Sequence, residues 1–313
     1  MSRLTSSHGL VEGRPLERPV VGAVASVVAR LGDYLELTKP RIVVLELFVA
    51  AAVAHLAAPH TLDAVTVLHA LAGTALVAAS ASIANHWLER RIDTRMHRTA
   101  DRPCASGRVS TAEAVTLAAV ALAAGFVWLA WRVNMLTAML GLASWLLYVV
   151  IYTPLKRRSP LNTAVGAVAG AIPLLMGWTA TGMPLDLTAW SLVGVLFLWQ
   201  FPHFMAIAWL YRSDYAAAGH QMMSVVDPTG ARCGVQAIIG AAALIPVSLI
   251  PALDPASGSP MVYSLWAVLL GTVQFAFAVQ FALARDDRSA RRLLRATLVF
   301  LPAWLAVTMI VSV

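Results

Sequence analysis

The stretch Asn85–Pro103, NHWLERRIDTRMHRTADRP, follows twenty almost uncharged residues, VTVLHALAGTALVAASASIA. An apolar run of that length is what a helix needs to cross a bilayer, and charges of both signs gather where the run ends. Asn85, Glu89 and Asp93 recur every four residues, so on a continuing helix all three project from one face. A row of oxygen-bearing side chains suits Mg²⁺ better than zinc or copper. The stretch therefore predicts a spanning helix that ends in a cation site.

The same charges have a simpler explanation, which the residues alone leave open. The two acids of the row would pair with the nearby arginines of a solvated loop, as charge runs commonly do: Arg90, Arg91 and Arg95. In that case the acids would be exposed to solvent and would hold no ligand.

Composition places the chain in a membrane. Hydrophobic residues make up 59% of the 313 residues, charged residues make up 12%, and the mean hydropathy is +0.73. Soluble globular chains carry about 25% charged residues. We predict an all-α integral membrane protein, a nine-helix bundle with a central cavity that faces the cytoplasm. Nine apolar segments of spanning length support this prediction: 42–58, 64–88, 111–131, 135–152, 161–182, 188–210, 233–252, 262–283 and 294–313.

The distribution of basic residues indicates the topology. With the N-terminus in the cytoplasm, 22 of the 23 Lys and Arg residues fall in cytoplasmic segments, and only Arg132 falls outside. We therefore predict a multi-pass protein of the cell (inner or plasma) membrane, with a cytoplasmic N-terminus, an external C-terminus and a site that faces the cytoplasm. The net charge of +7 follows from the same bias and requires no nucleic-acid partner.

The sequence predicts one transmembrane domain that follows a polar N-terminal tail. We predict a disordered cytoplasmic tail over residues 1–19 and a single domain over residues 20–313. Residues 20–40 begin with apolar positions at helical spacing and are predicted to form a helix at the membrane interface. Cys104 and Cys233 lie at cytoplasmic ends of spans, where the compartment is reducing, so no disulfide is expected.

Two further cytoplasmic loops carry polar residues at the membrane end of a helix. YTPLKRRSPLN places Tyr152 and Lys156 there, and WLYRSDYAAAGHQ places Asp214 and Tyr215 there. Carboxylates bind a divalent cation, and basic side chains bind the phosphate oxygens that such a cation holds. A mouth lined by acids and cations therefore suits a Mg²⁺-diphosphate, with apolar spans behind it for a hydrocarbon tail.

These motifs resemble those of a known family. The opening stretch is similar to the N-x-x-x-D-x-x-x-D signature of the UbiA-type membrane prenyltransferases. Together, ERRIDTRMHRTADRP, YTPLKRRSPLNT, WQFPHFMAIAWLYRSDY and LTKPRIVVL resemble the haem-farnesylating branch of that family. The resemblance runs from about Leu37 to the C-terminus and includes the nine-span layout.

Three positions depart from the family pattern. Glu89 stands where Asp is more usual and still offers an oxygen ligand. Arg91 stands where the family usually has a third Asp. Leu210 lies four residues before Asp214, so only one acid of the family's second motif, D-x-x-x-D, is present, which is similar to the haem-farnesylating branch.

The resemblance implies a transferase that moves the farnesyl group of farnesyl diphosphate to a vinyl group of haem B and gives haem O. It implies Mg²⁺ as cofactor, held by four residues that also serve catalysis: Asn85, Glu89, Asp93 and Asp214. The diphosphate would be bound by three cations and a tyrosine hydroxyl: Arg98, Arg102, Lys156 and Tyr152. Aromatic walls would protect an allylic cation from water, with these candidates: Trp87, Trp199, Phe201 and Tyr215.

Two ionisable residues lie deeper in the predicted spans, where an uncompensated charge is costly. His203, in WQFPHF, is expected either to face the haem, as an axial ligand or a propionate contact, or to be a hydrogen-bonded packing residue. Glu46, early in the first span, is expected either to face the cavity or to stay protonated between helices. The residues alone leave both pairs of alternatives open.

Two other functions are compatible with the sequence. A UbiA-type enzyme with another acceptor, such as 4-hydroxybenzoate or a chlorophyllide, would keep the diphosphate site and change the acceptor pocket. A secondary transporter would use Glu46 and His203 as a proton relay, although the acids gather at one mouth rather than at the midplane. A hand-off of product to a haem A synthase or a terminal oxidase is the remaining partner expectation.

Overall fold

The computed structural model describes residues 19–253 and 258–311, with side chains from residue 26 onward. Within those ranges the regular structure is helical, and nine helices are long and apolar enough to cross a membrane. The predicted all-α architecture of nine spans is confirmed. The predicted disordered tail, residues 1–19, lies outside the described residues apart from Pro19, which begins the first helix.

Most of the helices follow one another with short connections, and residues 94–110 form a longer one between the second and third spans. A helix precedes the spans: α1 (Pro19–Leu37). Eight spans are single α-helices or nearly so: α2 (Pro40–Ala57), α3 (Ala64–Asp93), α4 (Thr111–Arg132), α7 (Asn162–Ala180), α8 (Leu187–Leu210), α11 (Ala231–Ser248), α12 (Pro260–Ala284) and α13 (Asp287–Val311). The fourth span is composite: α5 (Met135–Trp145), a π-helix (Leu146–Tyr152) and α6 (Thr153–Leu155). Two short helices lie between α8 and α11: α9 (Arg212–Ala217) and α10 (Met223–Val226).

Polar caps explain where several spans begin. Asp63, Asn134 and Asp186 each accept a hydrogen bond from a backbone N–H of the first turn that follows them. Ser110 and Glu113 form a reciprocal capping box at the start of α4. Each such cap stabilises a helix by about 1 kcal/mol, because it satisfies backbone donors that have no partner within the helix.

Two spans differ from their predicted bounds by five residues or more at one end, and both of these differences concern charged residues. The second span was expected over 64–88, whereas α3 continues to Asp93. The ninth was expected over 294–313, whereas α13 begins at Asp287, because Asp286 accepts a hydrogen bond of 2.7 Å from the N–H of Ser289 and caps the helix. The arginines from Arg288 to Arg295 therefore lie on a helix rather than in a loop.

The fourth span changes its winding before it reaches the loop. In the π-helix Leu146–Tyr152 each N–H bonds five residues back, as the N–H of Thr153 does to the carbonyl of Tyr148. The hydroxyl of Thr153 donates to the same carbonyl at 2.8 Å. Such turns are frequent at functional sites, and this one ends four residues before Lys156.

Each span packs against the next one in the chain, and the last span also contacts the first. Further contacts join α2 to α7 and α8 to α13. The buried core between these last four helices includes large side chains: Trp178, Leu192, Phe300 and Trp304.

Gly177 on α7 allows the backbones of α2 and α7 to approach closely. A Cβ at this position would overlap backbone atoms of Ala50. We expect Gly177→Ala to lower the Tm of the purified protein, because overpacking costs about 1–3 kcal/mol. Gly32→Ala is the matched control, since nothing lies within 4 Å of a Cβ there. Equal Tm values for the two variants would contradict this account of the packing.

Helix α1 is tied to the loop that follows α3. Arg30 bonds to Glu113 and to the carbonyl of Arg108, and the Arg108 guanidinium pairs with Asp33 at 2.7 Å. The apolar residues of α1 lie on an exposed stripe at helical spacing: Val27, Val28, Leu31 and Leu35. A helix with one apolar stripe and one polar face suits the surface of a bilayer, and its interfacial position stays a prediction.

Candidate functional site

The three polar residues of α3 lie on one buried face, as their spacing predicts. Asn85 and Asp93 are 1% exposed and Glu89 is 4% exposed. Neither acid forms an ion pair with Arg90, Arg91 or Arg95 in the part of the chain that the structure describes. Burial therefore argues against the simpler explanation of a solvated charge run.

Each of these three side chains meets a cation from a different segment. Lys39 Nζ donates to Asn85 Oδ1 at 2.7 Å, and Lys156 Nζ donates to Glu89 Oε1 at 2.9 Å. A single nitrogen of Arg102, Nη1, donates to both carboxylate oxygens of Asp93, at 2.9 and 3.0 Å. The face is thus a row of oxygens opposite a row of cations. Such pairing compensates for the cost of burying the charges.

The side-chain amide of Asn85 has a defined orientation. Its nitrogen donates to the Thr153 hydroxyl at 3.2 Å, and that hydroxyl donates onward to the Tyr148 carbonyl. The amide oxygen consequently points to Lys39, among the charged groups. The amide therefore presents an acceptor to a cation, as an oxygen ligand must.

Lys39 belongs to the site, although the sequence alone gives it no role there. It precedes Pro40 in LTKPRIVVL, and its backbone is left-handed, with φ of 51°. Burial, together with the nearby cations Arg102 and Lys156, lowers the pKa of Lys39 below its ordinary value. A left-handed conformation is strained for a lysine, so neighbouring contacts must hold the chain in this shape.

Lys156 sits in a more favourable environment for its charge. Burial opposes the charge, but Glu89 and the nearby tyrosines outweigh that effect and raise the pKa of Lys156. The ammonium lies 4.6 Å from the ring centroid of Tyr152, a cation–π distance. Tyr152 in turn packs against Gly166, where a Cβ would approach the ring within 2.8 Å. The end of the fourth span thus positions two of the four predicted diphosphate residues, Tyr152 and Lys156.

The loop after α8 closes over the same face. The Arg98 guanidinium lies 4.5 Å from the ring of Tyr211 and 5.9 Å from the ring of Tyr215. The N–H of Gln221 donates to the carbonyl of Lys156 at 2.6 Å. The loops after α3, after the fourth span and after α8 therefore meet at one end of the bundle, as predicted.

Two histidines of this region were not singled out by the sequence. His220 is 2% exposed and close enough to Glu89 to interact electrostatically; burial lowers its pKa to about 4, so its imidazole is neutral. His86 is 2% exposed, and neither of its ring nitrogens has a hydrogen-bond partner among the described residues. No periodicity marks these residues, because their neighbours come from distant segments.

Among the described residues, no hydrogen bond or ion pair joins the Asp214 carboxylate to the row of oxygens on α3. Asp214 lies on α9, half-buried, and its carboxylate forms no ion pair within residues 19–253 and 258–311. Across the same ranges no three His, Cys, Asp or Glu residues are grouped as a metal site would require. The oxygens that the structure does group are an amide and two carboxylates, those of Asn85, Glu89 and Asp93. The role of Asp214 as a metal ligand stays a prediction.

His203 contacts α13 rather than the charged face of α3. Its Nδ1 lies 3.0 Å from the Thr297 hydroxyl, and its ring stacks on Trp199 at 4.7 Å. The indole N–H of Trp199 donates to the Thr297 carbonyl at 2.7 Å. These contacts fit the packing alternative for His203, and Nδ1 is already engaged.

The remaining candidate residues contact different parts of the bundle. Glu46 is half-buried on α2 and lies near Lys39. Phe201 packs on Gly240 of α11. Trp87 packs with the cluster that includes Leu37, away from the row of oxygens.

Comparison with known proteins gives one consistent result. A model of the UbiA prenyltransferase family matches residues 47–305. A protoheme IX farnesyltransferase of Rhodopirellula baltica is 43% identical over 279 residues, which cover 87% of this chain and 97% of that protein. The protein of the same name from Koribacter versatilis is 38% identical over 307 residues, which cover 95% of this chain and 97% of that protein.

Solved structures share the fold. A digeranylgeranylglyceryl phosphate synthase gives a TM-score of 0.75 at 13% identity, over 91% of this chain and 99% of that chain. A UbiA homolog from Archaeoglobus fulgidus was solved with GPP and Mg²⁺. It gives a TM-score of 0.61 at 14% identity, over 88% of this chain and 99% of that chain. At such low identity these likenesses bear on the fold alone.

Proposed function

The chain belongs to the UbiA prenyltransferase family, and on that premise we propose that it transfers the farnesyl group of farnesyl diphosphate to a vinyl group of haem B, which gives haem O and diphosphate. The observation that carries the proposal is the buried face of α3, where an amide and two carboxylates each meet a cation. The name that the curated relatives share supports haem as the acceptor.

The donor set of α3 fits Mg²⁺. Asn85 presents its amide oxygen, and Glu89 and Asp93 present carboxylates, so all the donors are hard oxygens. When bound, Mg²⁺ would supply Lewis-acid neutralisation of the leaving diphosphate. The Archaeoglobus fulgidus protein that shares this fold was solved with GPP and Mg²⁺, and the same ion is proposed for this face. Asp214 is proposed as a fourth ligand, from the neighbouring loop.

The cations of the face are proposed to bind the diphosphate. Lys156 and Arg102 each hold an acid of α3, so each can turn from a carboxylate to a phosphate oxygen by a small movement. Negative charge grows on the diphosphate as its bond to the farnesyl carbon breaks. Cations that are already in place neutralise that charge with little reorganisation. Arg98 and the hydroxyl of Tyr152 complete the proposed contacts.

A vinyl group is a weak nucleophile, so the reaction depends on a good electrophile. The terminal vinyl carbon forms a bond to C1 of the farnesyl group as the C1–O bond to diphosphate breaks. Water then adds to the electron-poor carbon beside the porphyrin and loses a proton, which gives the hydroxyethylfarnesyl substituent. Aromatic rings stabilise an allylic cation and exclude stray water. The proposed rings are Tyr152, 4.6 Å from the Lys156 ammonium, and Tyr215, 5.9 Å from the Arg98 guanidinium.

The acceptor pocket is proposed to lie deeper between the spans. His203 has its Nδ1 engaged by Thr297, so Nε2 is the nitrogen that would contact the haem iron or a propionate. Glu46 is proposed to line the same cavity. The orientation follows the basic residues: the site and the cavity face the cytoplasm, with the N-terminus inside and the C-terminus outside.

Extracted haems provide the direct test. The chain is expressed in a bacterial host that lacks its own haem-farnesylating enzyme, and membrane haems are separated by chromatography. We expect haem O to appear with the chain and only haem B with the empty vector. Haem B alone from well-expressed protein would overturn haem as the acceptor. Release of diphosphate from labelled farnesyl diphosphate in the presence of 4-hydroxybenzoate would then favour a UbiA-type enzyme that uses this other acceptor.

A further inference from the structure

A groove runs between α12 and α13, and none of the residues of the α3 site lines it. Its volume is about 290 Å³. Apolar side chains form most of its walls, and two of them, Val273 and Val299, are 46% and 63% exposed on the surface of the spans. The groove is therefore open along a surface that the bilayer covers in a membrane protein.

Two unneutralised cations stand at one end of this groove. Arg292 and Arg295 both line it and are exposed. They are three residues apart on α13, so their side chains lie next to each other on the helix surface. In the described ranges neither forms an ion pair with an acid, whereas Arg212 nearby pairs with Asp287 at 2.8 Å. The pair therefore attracts an anion.

A buried amide opens into the same groove. Gln274 lines it, is 1% exposed, and neither its Oε1 nor its Nε2 has a hydrogen-bond partner among the described residues. Buried polar groups are rarely left without a partner. Gln274 lies about 15 Å from the end of α12, and Arg295 about 12 Å from the start of α13, at 1.5 Å per residue. The amide thus lies at nearly the same depth as the cations, slightly farther into the membrane.

We propose that this groove binds an acidic glycerophospholipid of the surrounding bilayer. Its phosphate lies between Arg292 and Arg295, the amide nitrogen of Gln274 donates to an ester carbonyl just below, and an acyl chain follows Val273 and Val299. No carboxylate lines the groove, so it lacks the oxygen ligands with which the α3 face suits a Mg²⁺-diphosphate. A phosphodiester, which carries one charge and two chains, matches two arginines and an open apolar wall.

The purified full-length protein is tested by native mass spectrometry after incubation with phosphatidylglycerol or with phosphatidylcholine of the same acyl chains. We expect one retained phosphatidylglycerol and little phosphatidylcholine. The double variant Arg292→Gln/Arg295→Gln is expected to weaken retention by at least about tenfold, because each arginine near a bilayer surface contributes attraction to acidic lipid. The matched control is Arg288→Gln/Arg291→Gln, which removes two exposed arginines of the same helix that do not line the groove.

Gln274→Leu distinguishes lipid binding within the groove from non-specific attraction of acidic lipid to the two arginines. It leaves both arginines in place and is expected to weaken retention of phosphatidylglycerol, while the Tm without lipid stays unchanged or rises. Equal retention by the wild type and the groove double variant, or equal loss in the Arg288/Arg291 control, would overturn the proposal. Displacement of the lipid by micromolar farnesyl diphosphate, with sensitivity to the groove variants, would assign the groove to the substrate instead and would also overturn it.

Discussion

Asp93→Ala is expected to abolish haem O formation while the protein remains in the membrane at the wild-type level. Asp93 is 1% exposed, lies last in the row of oxygens on α3, and holds Arg102 through both carboxylate oxygens. Its loss removes a proposed Mg²⁺ ligand and releases the cation that stands ready for the diphosphate. Removal of one preorganised electrostatic group commonly lowers kcat by roughly 10²- to 10³-fold, enough to take haem O below detection.

Asp101→Ala is the matched control for this experiment. Asp101 lies in the same charged stretch, but its side chain is exposed. The same chemical change there is expected to leave the haem O yield intact. Unchanged haem O from a well-expressed Asp93→Ala variant would remove Asp93 from the catalytic site.

Lys156→Met is expected both to destabilise the protein and to abolish the reaction. Glu89 would remain buried without its cation, and breaking a buried ion pair from one side typically costs about 3–5 kcal/mol. The reaction would be lost because Lys156 is a proposed diphosphate ligand. Thermal unfolding of the detergent-purified protein and extracted haems measure the two effects separately.

The double variant Lys156→Met/Glu89→Gln distinguishes structure from catalysis. It removes the stranded charge, so most of the lost Tm is expected to return, whereas haem O is expected to stay absent. Arg158→Met is the control, because Arg158 is exposed and close in sequence. Recovery of haem O together with Tm would mean that Lys156 acts only by holding the fold.

The row on α3 was predictable because it depends on helix period alone. Hydropathy locates the span, and a four-residue spacing places Asn85, Glu89 and Asp93 on one face whatever surrounds them. The cations opposite were only partly predictable. Lys156 and Arg102 lie in loops that motif resemblance had marked. Lys39 meets Asn85 across 46 residues of chain, and no local pattern reports such a contact.

Other features could not be predicted because they depend on how distant residues pack together. LLYVVIY has the composition of an ordinary spanning helix, so the π-helix at Leu146–Tyr152 was invisible in the sequence. The start of α13 was predicted too late, because its first turns are rich in arginine and their helical state depends on the cap at Asp286. The position of Asp214 at a helix end could be predicted from the sequence. In the ranges described, however, its carboxylate has no hydrogen-bond or ion-pair partner.

A π turn holds one residue more than an α turn, so Leu146–Tyr152 is equivalent to a one-residue insertion in an otherwise regular span. Deletion of a single residue within this segment would let the span close into continuous α-helix and keep Trp145 and Lys156 in the same rotational register. Deletion of a residue after Tyr152 would instead turn Lys156 by about 100° away from Glu89. A one-residue deletion is therefore tolerable within Leu146–Tyr152 and harmful after Tyr152.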